Sequence, residues 1–110
     1  MVDKNDTVFM KEALVEIEWV ISYAKNLSYE EFISDQRTID ATVLRLQQMV
    51  EKIKKLSPKF KGEHNEIPWG EIIGFRNGIV HEYGSTDFST VYEVATRDIY
   101  QLKELFESSL

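Results

Sequence analysis

The sequence predicts an all-α fold, an antiparallel bundle of four to five helices. Three observations predict it. Apolar residues recur at three- and four-residue steps over most of the chain. No pair of segments alternates apolar and polar residues as paired strands do. The helical runs are joined by short stretches carrying proline, glycine or serine, and short joins make consecutive helices antiparallel neighbours.

In the first run Met10, Ala13, Leu14, Ile17, Val20, Ile21 and Ala24 form one stripe. Asp6 or Thr7 can cap its start, and "KNLS" (25–28) ends it. A second stripe of Phe9, Trp19 and Tyr23 predicts that two faces of this helix are covered. "SYEEFISD" (28–35) is a connection of roughly one helical turn. Ser34 or Asp35 then caps a helix with Ile39, Val43, Leu46, Val50 and Ile53 in the rhythm of a helix–helix seam. "LSPKFKGEHNE" (56–66) breaks that pattern with Pro58 and Gly62. The next helix begins at Pro68, since proline suits a first helical turn. The last runs from near Asp87 to the end and buries Tyr92, Ala95, Ile99, Leu102 and Phe106. With no repeat and no low-complexity tract, residues 1–110 are expected to form a single helical domain.

Composition narrows the function. The chain has no cysteine, which excludes disulfides, thiolate metal sites and cysteine nucleophiles. The start, "MVDKNDTVFM", is polar and acidic and does not resemble a signal peptide. No apolar run approaches the roughly 18 residues that span a bilayer, so the cytoplasm is the expected location. A net charge of −6 argues against broad phosphate-driven nucleic-acid binding. "EKIKKLSPKFKG" (51–62) nevertheless concentrates Lys52, Lys54, Lys55, Lys59 and Lys61. Such a run is either a solvated helix end favouring the negative dipole terminus or a ligand-contacting patch. His64, in "GEHNE", reads as a surface residue, and two histidines far apart make a poor metal site.

"FRNGIVHEYG" (75–84) gathers the most chemically able side chains. At about 100° per residue, Trp69, Ile72, Ile73, Arg76, Ile79, Val80 and Tyr83 share one stripe of the third long helix. Gly70, Gly74, Asn77, Gly78 and His81 share a second, and Glu71, Phe75 and Glu82 a third. Three glycines on one side each cost about 1 kcal/mol relative to alanine. Something large therefore approaches that backbone: another helix of the chain, a second subunit or an extended substrate. Asn77 and His81 are four apart and adjacent. Arg76 and His81 are five apart, about 140° round the axis, so a straight helix does not bring them together. Either the helix loosens near Gly78, or a second copy of the chain completes the site, as in a homodimer. Individually these residues have ordinary readings: a structural histidine, a tyrosine near a helix end, and an arginine paired with a buried glutamate such as Glu51. Spacing alone leaves the ordinary and the catalytic readings open.

The stretch "IPWGEIIGFRNGIVHEYG" (67–84) resembles the HEPN family of small helical proteins. It is most similar to the HepT-like toxins of the HepT–MntA toxin–antitoxin systems, which carry an Arg-x4-His-x-Tyr motif. Arg76, His81 and Tyr83 match that motif, Asn77 matches the polar position after the arginine, and "PW" upstream agrees as well. The chain departs from the family's habit at Gly70 and Gly78, where longer and basic residues are common, and at Val50 and Lys52, where small ones are. The resemblance implies a homodimeric, metal-independent endoribonuclease without a cofactor, in which Arg76 and His81 are catalytic and Asn77 supports them. It also implies a cognate minimal nucleotidyltransferase (MntA-like) antitoxin that blocks activity by transferring AMP to Tyr83. A competing expectation is a non-catalytic subunit that binds a nucleotide or docks the nucleotidyltransferase. A third is a purely structural helical protein.

Overall fold

The α1 helix, Lys4–Ala24, and the α3 helix, Gln36–Lys54, pack against each other along their lengths and form the spine of the molecule. The computed structural model describes residues 4–83 and 88–110, with the side chains of 80–83 outside the description. Between the two long helices lies α2, Tyr29–Ile33; after them come α4, Pro58–Glu63, and α5, Trp69–Tyr83. The chain ends in one helical path made of α6 (Ser89–Glu93), a π-helical turn (Val94–Asp98) and α7 (Ile99–Ser108). The described residues contain no strand, and the all-α expectation holds.

Local chemistry explains each boundary. Past the end of α1, Asn26 adopts the left-handed conformation (φ 65°), which asparagine tolerates better than most residues and which reverses a helix end. Ser28 and Glu31 form a reciprocal capping box at α2: each accepts a hydrogen bond from the other's backbone N–H, at 3.1 and 2.9 Å. Asp35 caps α3 by accepting from the Arg37 N–H at 3.1 Å. Pro68 supplies the carbonyl that accepts the Ile72 N–H of α5 at 3.0 Å, and the helix itself begins at Trp69, one position later than the sequence suggests. The expected start of the last helix near Asp87 lies outside the described residues.

The stripes read from the sequence form one core. Met10, Ala13, Ile17, Val20 and Ala24 of α1 meet Ile39, Val43, Leu46, Val50 and Ile53 of α3, all buried. Ala95, Ile99 and Phe106 close the core from the C-terminal helix, and Ile72 and Ile79 from α5. Tyr92 ties the last helix to the α1–α2 turn by donating its hydroxyl proton to the Leu27 carbonyl.

Four local expectations are corrected. Asp6 does not cap α1, which begins earlier; it is buried inside the first turns and accepts from the N–H and hydroxyl of Ser57 at 2.8 and 2.7 Å. Trp19 does not cover a second buried face, since it is 45% exposed. The 56–66 segment is not merely a break: Ser57 accepts from the Phe60 N–H at 3.1 Å and Pro58 starts the short helix α4, which buries Phe60. His64 is half-buried, its ring 4.5 Å from that of Phe60, and its carbonyl accepts from the Trp69 indole at 3.1 Å. Among the described residues no helix is long and apolar enough to cross a membrane.

Candidate active site

Helix α5 carries the whole motif on one continuous α-helix from Trp69 to Tyr83, unbroken at Gly78. A local loosening there, one of the two ways to bring Arg76 and His81 together, therefore does not occur. Backbone geometry sets positions 76 and 83 two turns apart on one stripe, about 10 Å along the axis, with position 81 about 140° round it from position 76. The side chains of His81 and Tyr83 lie outside the described residues.

Arg76 stands at the edge of the α3–α5 contact. Its side chain is 43% exposed, and its Nε lies 3.6 Å from a carboxylate oxygen of Glu51, itself 42% exposed. That distance is an ion pair rather than a hydrogen bond, and the Nε atom is buried without an acceptor. The arginine is thus not the satisfied partner of a buried glutamate. Its guanidinium is held by charge at a half-open edge with donor capacity to spare, and an incoming phosphate could use it.

Glu51 also receives Lys54, at 3.7 Å one helical turn on. Two cations therefore share one carboxylate beside α5. The other nearby lysines of the basic run reach toward α1: Lys52 pairs with Glu12 at 2.9 Å, and Lys55, just past the end of α3, lies 5.7 Å from the centre of the Phe9 ring. The run is thus split between two faces. Lys54 was not singled out from the sequence; its three-residue spacing from Glu51 was the available signal.

The second stripe of α5 is bare. A Cβ added at Gly70, Gly74 or Gly78 would meet nothing within 4 Å, so among the described residues no helix of the same chain packs there. Asn77 is exposed on this stripe. Packing against the described helices of the chain is removed as the explanation of the glycines, which favours an approach from outside. Glu71 and Phe75, on the third side, line a groove facing α7.

Comparisons with known proteins agree with this architecture. The profile of the ribonuclease HepT-like family matches residues 10–109. A protein of Methanocaldococcus jannaschii, provisionally named an RNase, is 31% identical over 107 residues, covering 97% of this chain and 88% of its own. Another provisionally named RNase, from Caldanaerobacter subterraneus subsp. tengcongensis, is 30% identical over 101 residues, covering 92% and 90%. The "Probable ribonuclease HepT" of Thermococcus cleftensis is 28% identical over 99 residues, covering 90% of each. No solved structure matches the chain significantly. With its all-helical bundle and with Arg76, Asn77, His81 and Tyr83 carried on one helix, the chain belongs to the ribonuclease HepT-like family.

Proposed function

We propose that the protein is the toxin of a toxin–antitoxin pair, an endoribonuclease that needs no metal and works as a homodimer. The observation that carries this reading is the family match over residues 10–109, joined to a half-exposed Arg76 whose Nε has no hydrogen-bond acceptor. RNA brings its own nucleophile, the 2′-hydroxyl beside the scissile phosphate. A histidine, His81, takes the proton from that hydroxyl as its oxygen bonds to phosphorus. The bond from phosphorus to the 5′-oxygen breaks, and a second imidazole, from the other subunit, returns a proton to the leaving oxygen. The products are a 2′,3′-cyclic phosphate and a 5′-hydroxyl. Arg76 binds the non-bridging oxygens and stabilises the charge that builds on them, and Asn77 supports it from the next position. The bare glycine stripe lets the two α5 helices, or the RNA, come close.

Regulation in this reading is covalent. A cognate nucleotidyltransferase antitoxin joins the α-phosphate of ATP to the Tyr83 hydroxyl, releasing pyrophosphate. Two turns from Arg76, the added phosphate occupies the guanidinium by charge and the crevice by bulk.

The test uses purified protein made without the nucleotidyltransferase. It should cleave RNA in EDTA, and His81→Ala should abolish cleavage; cleavage that survives this change removes His81 from the mechanism. Intact mass of protein made with the nucleotidyltransferase should rise by whole AMP units, localised to Tyr83.

A second reading, a non-catalytic subunit that docks the nucleotidyltransferase, is favoured by one observation. Lys52 and Lys55 turn to α1, which leaves Lys54 alone among the three beside Arg76. That reading predicts no cleavage in any preparation, with the antitoxin still bound.

A further inference from the structure

Helices α5 and α7 both rest on the α1–α3 spine but leave a groove of about 560 Å³ between them. Met49 of α3 forms its floor, Ile72 and Phe75 one wall, and Leu102 and Leu105 the other. The rim is of another kind. Glu66 and Glu71 stand at the α5 side and Asp98 at the C-terminal side, and no lysine or arginine lines the groove among the described residues.

We propose that this groove docks an amphipathic helix of a partner protein, one that carries lysine or arginine beside its apolar stripe. Three features select that occupant. The first is dimension: the groove follows about 10 Å of α5, from Pro68 to Phe75, and about 15 Å of the C-terminal helix, from Val94 to Leu105. A docked helix presents side chains at i, i+3, i+4 and i+7 over just such a length. The second is charge. Glu71 and Asp98 have no ion-pair or hydrogen-bond partner among the described residues, so two carboxylates beside an apolar trough lack a counter-charge, and cations flanking an apolar stripe supply it. The third is the wall itself. Its start is the π-helical turn Val94–Asp98, both ends of which line the groove, and single π turns recur at functional sites.

The groove is separate from the Arg76 edge. On α5 the Glu71–Phe75 side is about 100–140° from Arg76, and its charge is opposite in sign, so it repels RNA. One helix thus presents a cationic edge on one side and a partner surface on another.

The experiment titrates the full-length protein, methyl-labelled for NMR, with a synthetic 18-residue helical peptide. The peptide has leucine at i, i+3, i+4, i+7 positions, lysines flanking them and alanine elsewhere. Saturable binding should shift the methyls of Met49, Ile72, Leu102 and Leu105. Affinity should fall at least tenfold with Glu71→Lys plus Asp98→Lys, two exposed positions that the fold does not need. A peptide with its lysines changed to glutamate should recover binding to that double variant. The proposal is overturned if the peptide with serine for leucine binds equally well, if the shifts spread over the acidic surface, if the charge swap does not recover binding, or if a second copy of the chain already shields these methyls. None of these readouts depends on RNA cleavage, so the outcome stands apart from the proposed activity.

Discussion

Arg76 faces Glu51 across the α3–α5 contact at 3.6 Å, close enough to pair by charge and too far to satisfy the guanidinium Nε. A pair exposed to this extent contributes little to stability, about 0–1 kcal/mol. Arg76→Ala should therefore unfold in urea within about 1 kcal/mol of the parent while losing a hundredfold or more in RNA cleavage. Arg76→Lys, which keeps the charge but not the two-pronged donor geometry, should fall between them. A large stability loss with unchanged cleavage would make the arginine structural.

Glu51 holds two cations, Arg76 and Lys54, for which an RNA phosphate bound as proposed would have to compete. In a His81→Ala background, Glu51→Gln should bind a short single-stranded RNA several-fold more tightly, with a dependence on salt steeper by roughly one phosphate contact. Fluorescence anisotropy across a salt series measures both. An unchanged salt slope excludes Glu51 from the RNA path.

The open glycine stripe separates folding from association. A Cβ at Gly74 meets nothing within 4 Å, so Gly74→Ala should raise the stability of the isolated chain by about 0.5–1 kcal/mol. The bulkier Gly74→Leu should shift sedimentation toward the monomer and reduce cleavage in parallel. Unaltered sedimentation would mean that the subunits do not meet along this stripe.

Asp6 holds the start of α4 against α1. Replacing it with alanine strands the half-buried Ser57 N–H and hydroxyl that it accepts from, at a cost of about 1–3 kcal/mol. Asp6→Asn, which keeps one accepting oxygen, should cost less. Urea midpoints at constant slope decide between them.

Acid should loosen the α2–α3 junction first. The Ser28 N–H, which donates to Glu31, holds that carboxyl below its usual range, and the Thr38 hydroxyl does the same for Asp35. Both contributions are full above the ordinary carboxylate range and fade as pH falls through the lowered values. Amide exchange at Glu31 and Arg37 should quicken there before exchange in the middle of α3. Ser28→Ala, which removes the hydroxyl but keeps the backbone N–H, should return Glu31 only part of the way toward its ordinary titration, seen by NMR.

Much of this protein was legible in its sequence. The stripes of α1, α3 and the last helix named most core residues, with Leu14, Ile21, Tyr92 and Leu102 only half-buried against the core, because helical periodicity reports burial wherever one face meets a neighbour. The motif on α5 named a family. Periodicity did not reveal α4, whose serine cap and proline start are local signals hidden inside a run of lysines, and it overstated Trp19, since a stripe does not say whether a neighbour is present. It also placed His64 on the surface, although a few residues of intervening chain fold it onto Phe60.

The sequence by itself determined the long helices, their main buried faces and the helix that carries Arg76, Asn77, His81 and Tyr83, because these depend on neighbours within one or two turns. Only the tertiary structure decided where charge and space fall. It set Glu51 against Arg76, split Lys52 and Lys55 from Lys54, left the glycine stripe uncovered and opened an acidic groove between α5 and α7. These depend on which helices meet and at what angle, and that is set by how side chains from distant segments share one core.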